Sequence, residues 1–286
     1  MKLLVGYDGS DPAREAAHTA AHLARRLGAS VVIFTVGKIP AWVEGVSGVF
    51  IPVIDESDFV PIATEGAQIV RAIGVEVDTR VAMGEPADRI IDLAGREEFD
   101  LVIVGHRGLG GVRGLVLGSI AKRVAEAAPC PVLVVRGPAP DTIERILVGI
   151  DGSQHSLKAL SAAIELAKPF EAKITLIYVL DSTVIAAVRS GPAMRELRLS
   201  MANAGLEALR EASQRCQQAG VNCDTVQTEG RPASVISRRA KEGDYDLVAI
   251  GRRGISGLAR FALGGVSDAV LRSVNRPVLV AGEQAK

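Results

Sequence analysis

The stretch KLLVGYDGS, residues 2–10, returns at residues 145–153 as RILVGIDGS, 143 positions later. Three further blocks repeat in the same order, 146 positions apart: GEPA at 84–87 and GRPA at 230–233, DLVIVGHRG at 100–108 and DLVAIGRRG at 246–254, and PVLV at 131–134 and 277–280. Four blocks in one order indicate a duplicated domain. A period of this length is too long for a solenoid repeat, so each copy is expected to fold as a self-contained unit.

The duplication also indicates where the domains begin and end. A chain of 286 residues fits two domains at a soft prior of roughly 150 residues each. Between the copies lies Gly137-Pro138-Ala139-Pro140, whose proline and glycine content is typical of a linker. We therefore predict a first domain over residues 1–137, a linker over 138–143 and a second domain over 144–286.

Composition narrows the classes of partner. The 33 basic and 33 acidic side chains cancel, and only 3% of the residues are aromatic. Neither a basic surface nor a base-stacking platform is indicated, so we expect no nucleic-acid partner. No apolar run approaches the roughly 18 residues of a membrane span, and Asp8 follows the apolar start too closely for a secretory signal. The expectation is a cytoplasmic protein without a membrane partner.

Cysteine and histidine give no sign of a metal site. Cys130, Cys216 and Cys223 have neither the number nor the spacing of a disulfide framework or a zinc motif. We expect them to be packing residues. His18 and His22 lie four apart on a predicted helix, but no third ligand type follows them.

The predicted strands are short, continuous β-branched runs separated by segments with helical spacing. In the first copy they are Leu3–Gly6, Ser30–Val36, Val75–Val81, Leu101–Val104 and Val132–Val135. Because polar alternation is nearly absent, both faces of the sheet should be buried, as in a parallel sheet. The sequence thus predicts an α/β protein of two tandem Rossmann-like domains, each a five-stranded parallel sheet with helices on both faces. In such folds ligands bind beyond the carboxyl ends of the strands.

Two helices of the first copy have clear start signals. Asp11 is the expected cap of the first, Pro12 suits its first position, and Gly28 is the expected end. A further helix is predicted to begin at Pro86. The stretch Gly37–Thr64 is long for a loop, and reads either as a lid or docking segment or as a flexible connector.

An aspartate follows the first strand of each copy. Asp8 and Asp151 stand where a carboxylate can accept hydrogen bonds from a ribose hydroxyl or an exocyclic amine. The alternative is a turn residue, because Asp-Gly-Ser is common in turns. Its recurrence in both copies favours the functional interpretation.

A glycine-rich loop follows the fourth strand. Gly105 and Gly108 let the backbone approach a ligand closely, and Gly118-Ser119 opens a predicted helix. The bare amides at that helix end are suited to phosphate, and the serine hydroxyl can add a hydrogen bond. Arg107 and Arg113 either contact phosphate oxygens or keep the loop soluble.

The pattern Gly105-x2-Gly108-x9-Gly118-Ser119, between VGYDGS and PCPVLVV, resembles the ATP-binding branch of the universal stress protein family. The resemblance covers nearly the whole chain, as two copies. It implies the adenine nucleotide alpha hydrolase-like form of the Rossmann-like fold. It also implies ATP as the ligand, with AMP or ADP as alternatives and Mg²⁺ as an accompanying ion.

The resemblance places the adenosine end at Asp8, the adenine pocket beside Val36, and the ribose and phosphates at the glycine loop. It implies the following nucleotide-binding residues: Gly6, Tyr7, Asp8, Val36, Gly105, Arg107, Gly108, Gly118, Ser119 and Ile120 in the first copy, and Gly149, Ile150, Asp151, Val179, Gly251, Arg253, Gly254, Gly264, Gly265, Val266 and Ser267 in the second. No catalytic residue and no metal ligand is predicted.

The second copy departs from the family pattern at one position. Gly265 stands where the family has serine or threonine, so a hydroxyl bond to phosphate is lost. A hydrogen bond to a charged group contributes about 1.5 to 3 kcal/mol, which predicts a second site weaker by about tenfold or more. Ser267, two residues on, is a candidate substitute.

The resemblance also implies self-association through the last strands. Val132–Val135 and Val278–Val280 are expected to pair within one chain as a built-in pseudo-dimer, because an unpaired apolar edge invites association. A homodimer of chains and an unidentified regulatory protein partner are further expectations.

Three function classes remain open from the sequence. The chain has neither a P-loop nor a G-x-G-x-x-G turn, and no convergent set of catalytic side chains stands out. The preferred function is an ATP-binding regulator of stress adaptation that hydrolyses ATP slowly or not at all. The alternatives are an ATP-hydrolysing or adenylyl-transferring enzyme on the same fold, and a nucleotide-free scaffold.

Overall fold

The structure is a computed structural model of the chain. It describes residues 1–38, 55–109, 117–137, 142–187, 191–254 and 263–282. The chain divides into two compact units, Met1–Ala139 and Pro140–Lys286. Arg113, Trp42, Phe50 and the first four residues of the predicted linker, 138–141, lie outside the described residues.

The first unit alternates strands and helices. Its elements are β1 (Lys2–Gly6), α1 (Asp11–Leu27), β2 (Ser30–Gly37), a 3-10 turn (Glu56–Phe59), α2 (Val60–Arg71), β3 (Val77–Met83), α3 (Pro86–Arg96), β4 (Leu101–Gly105), α4 (Ser119–Ala127) and β5 (Val132–Val135). The strands lie in the order β3-β2-β1-β4-β5 and every pair is parallel. This confirms the predicted five-stranded parallel sheet.

The strand order reverses direction next to β1, which places a crevice at its carboxyl end. Gly6 at the end of β1 is in register with Phe34 of β2 and with Val104 of β4. With right-handed crossovers, the first two helices cover one face of the sheet and the last two cover the other. The contacts agree, because α1 packs on α2 and α3 packs on α4. The crevice is the place where doubly wound sheets bind ligands.

The second unit repeats this topology. Its elements are β6 (Arg145–Gly149), α5 (Gln154–Ala167), a 3-10 turn (Lys168–Phe170), β7 (Lys173–Asp181), α6 (Ser182–Ala187), α7 (Pro192–Gln218), β8 (Cys223–Gly230), α8 (Pro232–Glu242), β9 (Leu247–Gly251), α9 (Gly265–Ser273) and β10 (Val278–Ala281). Within the unit the order is β8-β7-β6-β9-β10, again all parallel.

The central strands form the core of each unit. Leu3, Leu4 and Val5 are consecutive in β1 and all fully buried, which means that both faces of the sheet are covered. Ile146 and Leu147 of β6 are equally buried. Hydrophobic burial at these positions is the main stabilising contribution of the sheet. Among the described residues, none of the helices has the length and apolar character needed to cross a membrane.

Two predictions about the first unit were wrong in detail. Helix α1 is capped by Ser10, whose hydroxyl accepts from the Ala13 amide, and Asp11 is the first helical residue. The stretch Gly37–Thr64 is not a loop throughout, because the 3-10 turn begins at Glu56 and α2 at Val60. Periodicity alone missed α2 because its start follows a proline- and glycine-rich segment.

A glycine in α2 and another in α7 let these helices lie close to a tyrosine. A Cβ on Gly66 of α2 would come 3.0 Å from the Tyr7 ring. On Gly205 of α7 it would come 2.6 Å from the Tyr178 ring and 2.5 Å from Nε2 of Gln227. From the sequence, Gly205 is expected only to weaken a helix. In the structure it allows α7 to pack closely against Tyr178.

We expect Gly205→Ala to lower the stability of the second unit. Alanine favours a helix over glycine by about 1 kcal/mol, but overpacking costs about 1 to 3 kcal/mol, and contacts as short as these favour the upper part of that range. Gly95→Ala in α3 is the matched control, because its Cβ would meet only Pro129 at 3.9 Å, and it should not destabilise. Urea unfolding at unchanged m-value measures both changes. A stabilised Gly205→Ala variant would contradict the packing account.

Candidate functional site

The second unit has a cavity of about 590 Å³ at the carboxyl ends of β6, β7 and β9. Every nucleotide-binding residue predicted for the second copy lines it: Gly149, Ile150, Asp151, Val179, Gly251, Arg253, Gly254, Gly264, Gly265, Val266 and Ser267. Residues more than 100 positions apart in the sequence are thus brought to one place by the parallel sheet.

One end of the cavity is apolar. Its side chains come from β7, α6 and α7, and they include Tyr178, Val184 and Met201. The sequence pointed only to Val179 on this side. The others went unrecognised because they belong to elements far from the glycine loop. An apolar wall of this kind can cover the face of an aromatic ring.

The other end of the cavity is the start of helix α9. Gly264 is the N-cap, has no side-chain cap bond, and donates its amide to the Arg252 carbonyl at 2.9 Å. The following amides, from Gly265 to Ser267, have no acceptor within the helix. They form, with the positive end of the helix dipole, an environment that attracts an anion.

Ser267 is not placed to replace the missing hydroxyl at position 265. Its side chain is only 4% exposed, and its hydroxyl donates to the carbonyl oxygen of Gly251 at 2.7 Å. The hydroxyl hydrogen that could bind a phosphate therefore binds the end of β9 and holds α9 against it. The proposed substitution by Ser267 fails for this reason.

Two aspartates of the second unit face the cavity. Asp151 Oδ1 accepts the Ser153 amide at 2.9 Å, and a Cβ on Gly254 would come 2.6 Å from Asp151 Oδ2. Asp181, at the end of β7, accepts from the amide and hydroxyl of Thr183 through Oδ1. Asp181 was missed from the sequence because it closes a strand without any glycine motif.

The first unit repeats the geometry of the glycine loop. Helix α4 begins at Ser119, as predicted, and its N-cap Gly118 has no side-chain cap bond. The Gly118 amide donates to the His106 carbonyl at 2.8 Å, which matches Gly264 and Arg252 in the second unit. Ile120, the second residue of α4, is 36% exposed.

Asp8 fastens the turn after β1 to the glycine loop. Its Oδ1 accepts from the Ser10 amide at 3.1 Å and the Ser10 hydroxyl at 2.6 Å, and its Oδ2 accepts from the Leu109 amide at 2.9 Å. A Cβ on Gly108 would overlap this carboxylate. Asp8 therefore does serve as a turn residue. A carboxylate has about four acceptor positions, so one remains for a ligand.

Arg107 is oriented by the histidine that precedes it. Its Nε donates to His106 Nε2 at 3.1 Å. Burial lowers the pKa of His106 to about 4, and the nearby Arg136 and Arg107 add to the effect. The imidazole is therefore neutral at pH 7 and accepts this hydrogen bond. Arg136 directly follows β5 and was not recognised from the sequence.

Three further predicted residues, Gly6, Val36 and Gly105, lie at the ends of β1, β2 and β4. A Cβ on Gly6 would come 2.9 Å from Cδ1 of Ile90 in α3, so the end of that side chain would have to shift. Val36 is partly exposed near the end of β2.

Tyr7 lies beneath the turn that carries Asp8. The residue is only 2% exposed, and its hydroxyl donates to Glu65 Oε1 at 3.0 Å. Arg14 Nε donates to the same oxygen at 2.7 Å. Burial raises the pKa of Tyr7 to about 12, helped by the hydrogen bond and the charge of Glu65. This cluster joins β1, α1 and α2 at the edge of the crevice.

Comparison with known proteins finds similarity along both units. A family model described as "Universal stress protein family" matches residues 1–136 and again residues 142–282. A universal stress protein of Bacillus subtilis is 36% identical over 143 residues, which are 48% of this chain and 97% of that protein. One of Mycobacterium tuberculosis is 27% identical over 237 residues, 76% of this chain and 77% of that protein.

Solved structures share the fold over the full length. The crystal structure of a universal stress protein from Archaeoglobus fulgidus has a TM-score of 0.69 and covers 99% of this chain and 98% of that one. Its sequence is 18% identical, so the likeness concerns the fold alone.

We expect Tyr7 to ionise near pH 12. Because its pKa in the folded protein lies above the ordinary value of 10.0, the contribution of Tyr7 to stability is complete below pH 10 and declines as the pH rises toward 12. The difference in tyrosinate absorbance between wild type and Tyr7→Phe measures this ionisation.

Glu65→Gln serves as the control for the cause of the shift. It removes the charge and keeps an acceptor oxygen, so the pKa of Tyr7 should fall but stay above its ordinary value because the ring is buried. Ionisation of Tyr7 near pH 10 in the wild-type protein would contradict the assignment.

Proposed function

Both halves of the chain belong to the universal stress protein family, and on that premise we propose that the chain is an ATP-binding regulator of stress adaptation. Each unit offers one adenine-nucleotide site, with ATP as the main ligand, AMP or ADP as alternatives and Mg²⁺ as the ion that accompanies the phosphates. A cytoplasmic location and a regulatory protein partner belong to the same proposal. The pairing of β5 with β10 and a homodimer of chains stay predictions from the sequence.

The cavity of the second unit is the observation that carries the proposal. Its volume of about 590 Å³ falls within the range of about 300 to 1,000 Å³ that is usual for small-molecule sites. Its two ends differ in chemistry as the two ends of a nucleotide do. An apolar wall lies at one end and a helix start with bare amides at the other.

The apolar end suits a purine. Tyr178, Val179 and Met201 offer surface for the ring, and Asp181 lies on the same side of the cavity. Oδ2 of this carboxylate can accept from an exocyclic amine, as adenine has, and a carboxylate cannot donate to a keto oxygen. This arrangement favours a base that carries an amino group.

The loop end suits phosphate. Glycine at positions 254, 264 and 265 removes the side chains that would fill the space in front of α9. Arg253 adds a positive charge to the same lining. Helix starts of this kind bind phosphate through their amides and their dipole. The first unit has the same loop ends at Gly108 and Gly118, with the additional hydroxyl of Ser119.

The lining favours binding over hydrolysis. Among the described residues around the cavity, the ionisable side chains are Asp151, Asp181, Arg253 and Tyr178. Hydrolysis at a γ-phosphate needs a base, an orienting group or a metal-held water placed there. The two carboxylates belong to the ends of β6 and β7, and both accept bonds from neighbouring backbone amides.

We expect Gly118→Ala to weaken ATP binding at the first site. The added methyl would come 3.3 Å from Cα of Arg107 and from the His106 carbonyl oxygen, so the loop in front of α4 must shift where phosphate approaches. Titration calorimetry with ATP measures the affinity, and Gly95→Ala in α3 should leave it unchanged. Unchanged affinity in Gly118→Ala would mean that the loop is misassigned.

Three measurements on the wild-type chain complete this test. Mass spectrometry of ligand released from the purified, denatured protein should detect an adenine nucleotide. Incubation with labelled ATP and Mg²⁺ should leave the nucleotide intact. Multiple turnovers per minute would favour an ATP-hydrolysing enzyme. A melting temperature that does not change with saturating adenine nucleotide would favour a nucleotide-free scaffold.

The second site should gain affinity when its lost hydroxyl is restored. A Cβ on Gly265 meets nothing within 4 Å, so Gly265→Ser fits without a clash. The new hydrogen bond to phosphate should tighten ATP binding at this site about tenfold. Gly265→Ala, which adds the methylene without the hydroxyl, is the matched control and should gain nothing. Equal effects of serine and alanine would contradict a direct bond to phosphate.

A further inference from the structure

Two cysteines of the second unit come together where α7 turns into β8. Cys216 lies in the last turn of the helix, and Cys223 is the first residue of the strand. The chain between them reverses tightly, because the Val221 amide donates to the Cys216 carbonyl at 2.9 Å and Gly220 has a φ of 72°. Their sequence spacing suggested no such pair.

The side chain of Cys223 points back at the helix. Its sulfur lies 3.5 Å from the hydroxyl oxygen of Ser213. Ser213 and Cys216 are three residues apart and thus neighbours on one face of α7. The Cys223 side chain is also close enough to Cys216 to help raise the pKa of the Cys216 thiol. The turn and the serine contact therefore place the Cys223 sulfur beside the face of α7 that carries Cys216.

The two thiols differ in their access to solvent. Cys216 is 0% exposed, whereas Cys223 is partly exposed at the start of the strand. Burial, with a smaller effect from Cys223, raises the pKa of Cys216 to about 12. Cys216 is therefore protonated and shielded at neutral pH. An oxidant from solution reaches Cys223 first, because exposure governs which thiol is attacked.

We propose that Cys216 and Cys223 are an oxidisable dithiol that a hydroperoxide converts into a disulfide within one chain. The peroxide transfers an oxygen to the Cys223 sulfur, which becomes a sulfenic acid, and hydrogen peroxide is reduced to water. The Cys216 sulfur then attacks the Cys223 sulfur. An S–S bond forms, the S–O bond breaks, and the hydroxide leaves with the Cys216 proton as a second water.

The bond would tie the end of α7 to the start of β8. The same helix packs on β7 through Gly205 and contributes Met201 to the cavity wall. A disulfide that closes the loop from Cys216 to Cys223 lowers the conformational entropy of the unfolded chain and so stabilises the folded unit. We expect the melting temperature of the second unit to rise by about 5 °C on oxidation and to return on reduction.

Peptide mapping of the full-length protein tests the proposal directly. The wild-type chain is treated with hydrogen peroxide, the excess is removed with catalase, and thiols are alkylated in denaturant. Trypsin cuts after Arg215 and Arg238 but not at Arg231-Pro232, so both cysteines fall in one peptide, 216–238. The expected peptide is two hydrogens lighter than the reduced form and carries no alkyl group, and a thiol reductant restores both alkylation sites.

Control variants separate the disulfide from general oxidation. Cys223→Ser should abolish the lighter peptide and the reversible gain in melting temperature, and its Cys216 should remain open to alkylation after peroxide. Cys216→Ser should leave Cys223 as a sulfenic acid that a dimedone probe captures. Cys130, on the separate peptide 124–136, reports non-specific oxidation. Two alkylated cysteines, or separate sulfinic acids, in the peroxide-treated wild-type peptide would overturn the proposal.

Discussion

Helix α1 starts pressed against the end of β4, and the rest of the site depends on this contact between two stretches of backbone. A Cβ on Gly105 would come 2.6 Å from the carbonyl carbon and oxygen of Pro12. In the second unit a Cβ on Gly251 would come 2.8 Å from the carbonyl carbon of His155. Backbone atoms cannot swing aside as the end of a long side chain can. Glycine at these two positions therefore decides how close the turn after the first strand lies to the loop after the fourth.

This closeness explains why so much of the site could be predicted from the sequence. Strand ends, DGS turns and loop glycines are local signals, and a parallel sheet brings them to one edge whatever the side chains between them. For the second copy, the glycine-loop residues chosen in this way all line one cavity. The fold class follows from the same signals, because uninterrupted β-branched runs leave few alternatives to a sheet that is covered on both faces.

The features that were missed depend on tertiary contacts between distant segments. The sequence suggested Ser267 as a phosphate ligand because it does not reveal that the Ser267 hydroxyl donates a hydrogen bond to the Gly251 carbonyl. Met201 and Asp181 line the cavity but belong to elements without a recognisable sequence motif. Helix α2 was missed because the segment before it has the composition of a loop. The contact between Cys216 and Cys223 needs the turn of α7 into β8, and no count of cysteines reveals a turn. Sequence patterns identify backbone roles better than side-chain partners.

The two copies differ in the position of a serine hydroxyl in the first turn of the helix after the glycine loop. Ser119 at the start of α4 corresponds to Gly265, and Ala121 corresponds to Ser267, whose hydroxyl holds the first turn of α9 to β9. The second copy thus has a hydroxyl bond within the protein, whereas the sequence predicts for the first copy a hydroxyl bond to phosphate. Because that turn is already ordered when the chain folds, a ligand that binds there would cost less conformational entropy. The first turn of α9 is thus fastened to the sheet by a side-chain bond that Ala121 cannot make at the corresponding place in α4.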